Sequence, residues 1–225
     1  MRYDVITLFP EFIESYFNSS IAKRAKENNI IQINTHNPRD YTKNKHKKVD
    51  DTPYGGGDGM VLMCQPIFDC YRSIEKCNDF EFIMLSPQGE KFNQQMAKEL
   101  SKKGQIILLC GHYEGFDERI RLGLKPKEVS IGDFVLTGGE LPALILIDSI
   151  SRNIENFLGK SGSYHNDSFS DGMEGLLEYP HYTKPREYEN MLVPDVLLNG
   201  NHKEIEEFRK KESLKRTKQR RPDLL

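Results

Sequence analysis

Apolar positions in this chain fall into two alternating rhythms. Tyr3–Phe9, Ile30–Thr35, Phe80–Leu85, Gln105–Cys110 and Lys127–Ile131 are short apolar runs that read as strands. Between them the apolar spacing lengthens and predicts helices over Glu11–Glu27, Gln65–Lys76, Asn93–Lys102, Asp117–Leu122 and Glu140–Ile154. In the second of these Ile67, Phe68, Tyr71 and Ile74 recur on one helical face. The run QIILLC at 105–110 is apolar enough to be covered on both faces, as strands of a parallel sheet are. The alternation predicts an α/β fold with a mainly parallel sheet.

After Ile154 the texture changes. Gly159 to Met173 is small and polar and reads as a flexible linker. Asn201-His202-Lys203-Glu204 then has capping-box spacing at the head of a basic helix. The expected organisation is a domain over 1–158, a linker over 159–173 and a small helical domain over 174–225. Arg39 to Met60 reads as a long loop, and no internal repeat is present.

Composition adds limits. A chain of 225 residues with 37% hydrophobic and 29% charged residues suits a soluble globular protein. No stretch has the apolar length of a membrane span, and the N-terminus opens on a strand-like run rather than a signal peptide. Cys64, Cys70, Cys77 and Cys110 lack CxxC spacing and read as buried free thiols of a reducing cytoplasm. His36, His46 and His165 show no ligand spacing and read as surface residues. The net charge is only −2, but it is segregated: eight Lys or Arg lie between Arg209 and Arg221 against the single acid Glu212. A second basic run spans Arg39 to Lys48. Such segregation suits a protein that meets a polyanion on one face.

Candidate chemistry sits where three strands end. The segments are Leu85-Ser86-Pro87-Gln88-Gly89, Leu109 to Gly115 (LCGHYEG) and Ser130 to Pro142 (SIGDFVLTGGELP). Their glycines let backbone groups approach a ligand closely, and three such loops suggest a site at the carboxyl ends of a parallel sheet. Other nucleotide fingerprints are missing. Tyr54-Gly55-Gly56-Gly57-Asp58-Gly59 lacks the GK[ST] of a P-loop, and the first strand leads to Pro10-Glu11-Phe12 without the glycine loop of a Rossmann methyltransferase.

The wording and order of these three loops resemble the bacterial tRNA (guanine-N1)-methyltransferases, which belong to the SPOUT class and use S-adenosylmethionine. The resemblance runs over nearly the whole chain. It implies a deep trefoil knot, with the cofactor held bent among Leu85, Ser86, Pro87, Gly111, Tyr113, Glu114, Gly115, Ile131, Gly132, Asp133, Phe134, Val135, Leu136, Gly138, Gly139 and Pro142. It departs at His112, where some members carry Arg, and the His112 side chain is not expected to decide cofactor binding. The resemblance also sets Gly59, with Val49-Asp50-Asp51 and Tyr54 to Met60, beside the target base.

Catalysis on guanine N1 needs a base for its proton and a cation for the charge that develops at O6. The resemblance assigns these roles to Asp167 and Arg152 and keeps Glu178 near the site. It gives Lys215, Arg216 and Arg220 to the tRNA, and implies a homodimer with a shared site and a magnesium ion, though no metal ligand is legible. Two rivals remain: another SPOUT enzyme acting on ribosomal RNA or a ribose, and a non-catalytic RNA binder that uses the basic tail alone. The Asp167–Arg152 pair argues against a ribose target. A pure binder has no reason to keep the loops at 109–142.

Overall fold

The computed structural model describes residues 1–159 and 166–225, so Lys160 to Ser163 and His165, read above as linker and surface residues, lie outside the described residues. The chain divides into two compact units, Met1–Ser161 and Gly162–Leu225.

The first unit is an α/β unit whose order along the chain is β1 (Arg2–Ile6), α1 (Pro10–Tyr16), α2 (Ser20–Glu27), β2 (Gln32–His36), β3 (Asp50–Asp51), β4 (Val61–Leu62), α3 (Cys64–Ser73), β5 (Phe80–Lys91), α4 (Gln94–Leu100), β6 (Gln105–Leu109), α5 (Glu118–Leu124), β7 (Lys127–Ser130) and α6 (Glu140–Ser151). Five strands form a parallel sheet in the order β2-β1-β6-β5-β7. Strand alternation sorts its two faces. Tyr3, Val5, Ile106 and Leu108 point into one core with Ile13, Ala25, Ala97 and Leu146 of α1, α2, α4 and α6. Ile6, Ile107, Leu109 and Met84 point into the other with Ile67, Cys70 and Ile120 of α3 and α5. The fully buried run at 105–109 is the central strand that its composition predicts.

The expected helix over Glu11–Glu27 is two helices. The break falls at Phe17-Asn18-Ser19, where Phe17 and Asn18 donate to the carbonyls of Glu14 and Ser15 and Ser20 takes φ 53°. Ser15 and Ser19 hydroxyls donate to Phe12 and Tyr16 carbonyls, so side chains compete with the helical ladder there. The expected strand over 80–85 runs on to Lys91, and Val129 pairs with both Leu85 and Glu90. β7 therefore lies against two arms of one strand. At Gly89 a Cβ would stand 2.3 Å from the Val129 backbone nitrogen, which is why this position needs glycine. Of the cysteines, Cys70 and Cys110 are buried, Cys64 is half-buried and Cys77 is exposed, so the reading of buried thiols holds for two of four.

His36 is not a free surface residue. Its Nε2 lies 2.8 Å from Asp4 Oδ1, while Gln105 (2.7 Å), Asn34 (3.0 Å) and Arg2 Nε (2.8 Å) donate to the same carboxylate. Burial is the largest influence on Asp4 and pushes its pKa up. The hydrogen bonds from His36, Gln105 and Asn34 and the Arg2 charge outweigh it and hold the pKa at about 2. Because the folded pKa lies below the unfolded one, the stabilisation is full above about pH 4 and lost as pH falls through 2. Denaturant titrations are expected to show the wild type losing about 2 kcal/mol more than Asp4→Asn between pH 6 and pH 2. Parallel losses in the two proteins would remove this role.

In the second unit, α7 (His202–Arg220) starts at the expected N-cap, where Asn201 Oδ1 accepts from the Glu204 N–H at 3.5 Å. The reciprocal half of the capping box does not form, because the Asn201 N–H donates to Asn199 Oδ1 and Glu204 Oε1 takes the Asn201 side-chain amide instead. The rest of the unit is less helical than expected. It holds a short hairpin, β8 (Glu187–Tyr188) with β9 (Met191–Leu192), and single 3-10 turns. Residues 166–173, read as linker, carry one of those turns and bury Ser170 and Met173.

Candidate active site

The 85–89 segment, which lies within β5 rather than beyond its end as expected, meets the carboxyl ends of β6 and β7 because these strands are neighbours in a parallel sheet. The loops that leave β6 and β7 are fastened to each other. Gly139 N–H donates to the Gly111 carbonyl at 2.8 Å, and His112 and Gly138 form an antiparallel bridge. A Cβ on Gly139 would lie 2.6 Å from Cys110 Cα, so the contact is backbone against backbone. On the other flank the 59–62 segment closes on the same loop. Glu114 N–H donates to the Met60 carbonyl, Leu62 N–H to Gly115 and Asp117 N–H to Leu62, at 2.9–3.0 Å. Gly59, at φ +86°, faces Glu114, whose Cγ would be 2.5 Å from an added Cβ. The segment expected beside the target base is thus anchored to the loop expected to hold the cofactor.

Between the loops lies a cavity of about 260 Å³, lined by Leu85, Ser86, Pro87, Gly111, Tyr113, Glu114, Gly115, Ile131, Gly132, Phe134, Val135, Leu136, Gly138, Gly139 and Pro142. Asp133 is the one expected cofactor residue outside this lining; its carboxylate points to solvent and pairs with Lys91 at 2.7 Å. His112 is inside it, with its ring 5.0 Å from Phe9 and 5.2 Å from Tyr113, so its side chain does help shape the wall. Motif wording also passed over Arg121. It reaches the cavity from α5, held by Glu118 (3.0 Å) and Glu128 (3.1 Å). An arginine on a helix surface carries no sequence signal that separates a solvated residue from a wall residue.

The lining combines apolar side chains with open backbone groups and a few polar side chains, which suits a flat heteroaromatic ring carrying a polar substituent. Burial pushes the Cys110 thiol well up, with Glu140 adding to the shift, so a neutral sulfur backs the second loop. Glu140 opens α6 and accepts from Thr7 Oγ1 at 2.7 Å, tying the third loop to the residue that follows β1.

Arg152 caps the far end of α6, its N–H donating to the Asp148 carbonyl. Nearby, Tyr16 donates to Asp148 Oδ1 at 2.5 Å; burial and that carboxylate push the Tyr16 pKa up. Asp167 belongs to the second unit, in a turn closed by Ser170 N–H on the Asp167 carbonyl at 3.1 Å. Glu178 is in the same unit; its N–H donates to Ser168 Oγ at 2.9 Å and its carboxylate meets His181 Nε2 at 2.7 Å. Among the tail cations, Lys215 and Arg220 are exposed and Arg216 is half-buried. Arg209 instead turns inward over Tyr179, 4.8 Å from the ring centre, and Arg221 pairs with Asp223. Among the described residues no group of three or more His, Cys, Asp or Glu side chains could hold a metal ion, and none is assigned to magnesium. No helix among them is long and apolar enough to cross a membrane.

Three glycine-bearing segments over one cavity in a parallel-sheet unit mark an α/β enzyme of the SPOUT methyltransferase class. The chain matches the family described as tRNA (Guanine-1)-methyltransferase TrmD across residues 1–225 and belongs to it. It is 56% identical to the tRNA (guanine-N(1)-)-methyltransferase of Clostridioides difficile, with all of this chain and 97% of the relative covered. It is 53% identical to the protein of the same name from Staphylococcus haemolyticus, with 100% and 91% covered.

Proposed function

We propose that this protein moves the methyl group of S-adenosylmethionine to N1 of guanine 37, the nucleotide 3′ to the anticodon, in tRNA. The observation that carries the reading is the cavity between the three loops, in a chain that matches the family from end to end. Ile131, Phe134, Val135 and Leu136 would cover the adenine, and the backbone at Gly111, Gly132 and Gly139 would approach its edge. The double pairing of Val129 and the backbone contact at Gly89 support a threaded, knotted course for these loops. When bound, the sulfonium supplies an electrophilic methyl group. Asp167 accepts the N1 proton of guanine, so that N1 gains a lone pair for the attack. Arg152 faces O6 and offsets the negative charge that the lost proton leaves there. Lys215, Arg216 and Arg220 contact phosphates of the tRNA, and the protein works in the cytoplasm.

The reading includes a homodimer with a shared site, and two observations favour it. Gly139 and Pro142 line the cavity at the start of α6, and Arg152 stands at its end, about 20 Å further along at roughly 1.5 Å per residue. A second copy could bring Arg152 to the cavity where the same chain cannot. Leu141 and Ile145 on α6, 50% and 44% exposed, and Phe9 and Phe12 beside them form an apolar surface suited to a twin. Labelled-methyl transfer to unmodified tRNA transcripts, with nucleoside mapping, tests the reaction. Mixing Asp167→Asn subunits with Gly139→Ala subunits tests the sharing. Random exchange should restore about a quarter of wild-type activity, because each mixed dimer then has one composite site with both parts intact. No recovery despite demonstrated exchange would mean that each protomer works alone.

A further inference from the structure

Two buried hydroxyls on α7 have no part in the site described so far. Ser213 is 1% exposed and Thr217 is fully buried, one turn apart on a helix that is otherwise strongly charged. Their partner is one residue. Ser213 Oγ donates to the Leu177 carbonyl at 2.6 Å, and Leu177 N–H donates to Thr217 Oγ1 at 3.0 Å. Thr217 Oγ1 in turn donates to the Ser213 carbonyl at 2.9 Å, which fixes its rotamer for accepting. The helix thus offers Leu177 a donor and an acceptor at the spacing a neighbouring strand would.

The flanking residues point the other way, as they must in an extended segment. Leu176 accepts from the Phe169 N–H at 2.9 Å, and Glu178 N–H donates to Ser168 Oγ at 2.9 Å. Ser168 and Phe169 are the second and third residues of the turn that Asp167 opens, and Phe169 sits at φ +69° within it. A continuous hydrogen-bonded path therefore runs from the inner face of α7 through 176–178 to the turn carrying Asp167. Arg209 over Tyr179 and Arg221 over Phe169, 5.8 Å from its ring centre, brace the same path at both ends.

We infer that Ser213 and Thr217 are positioning residues for the methyl-transfer reaction: they clamp Leu177 and thereby fix the turn from which Asp167 reaches guanine N1. The inference rests on the reading of Asp167 as the base. The outer cations of the same helix, Lys215 and Arg220, are exposed for the tRNA, so the element that holds the RNA also aims the base.

The test uses the full-length protein and unmodified tRNA transcript. Ser213→Ala with Thr217→Val should lower kcat by about tenfold to 100-fold, the scale of a misplaced catalytic group, with KM for tRNA and cofactor affinity within about twofold. Thr217→Ser, which keeps the oxygen, should restore kcat in the Ser213 background. In an Asp167→Asn background the clamp variants should cost nothing further, since they act through that carboxylate. Ser213→Ala alone carries the same test if the double variant does not fold. A folded clamp variant with unchanged kcat overturns the inference, as does a full extra loss on top of Asp167→Asn or a loss confined to KM for tRNA. Should Asp167→Asn itself keep its turnover, the base assignment is what fails.

Discussion

Replacing Gly139 by alanine should weaken cofactor binding by on the order of 10- to 100-fold while leaving the helical signal of the protein unchanged. The added methyl would stand 2.6 Å from Cys110 Cα and 2.7 Å from Gly111 N. These are backbone atoms in the second loop and cannot rotate away, so the two loops must part. Overpacking of this kind costs about 1–3 kcal/mol, and the cavity wall formed by their junction moves with it. Gly132→Val should act in the same direction: Gly132 has φ +153°, and its Cβ would lie 2.5 Å from the Phe134 ring. Titration calorimetry with S-adenosylmethionine on the folded variants reads the loss. Wild-type affinity in both would detach these loops from the cofactor.

The larger effect is expected at Asp167. The Asn variant keeps size and polarity but cannot accept the N1 proton, so turnover should fall by roughly 10²- to 10⁴-fold, the usual range for a lost general base. Cofactor affinity should not change, because the cavity is built wholly from the first unit. Single-turnover methyl transfer at saturating tRNA isolates the step. A rise in KM with turnover intact would reassign Asp167 to binding.

Legibility in the sequence followed the range of the interactions concerned. The loop residues stood out because each motif is local: a strand end, glycines and a fixed order of neighbours. Fifteen of the sixteen residues expected at the cofactor line the cavity. Asp133 does not, since a side chain in an extended loop can face either way and Lys91 draws this one outward. Arg121 and His112 entered the wall unannounced, because their orientation depends on α5 and on Phe9, each set by packing. The helix break at 17–19 had a local cause in its serines that apolar spacing alone conceals.

By itself the sequence determined the alternation of strand and helix, the buried central strand at 105–109, the N-cap of α7 and the composition of the loops, all of which are written in the local pattern of apolar, polar and capping residues. Only the tertiary structure decided that Val129 of β7 pairs with both Leu85 and Glu90 of β5, that Gly59 and Gly139 both close on the 110–116 loop, and that Ser213 and Thr217 hold Leu177. Those contacts join residues tens of positions apart, and no periodicity records which distant backbone a glycine or hydroxyl will meet.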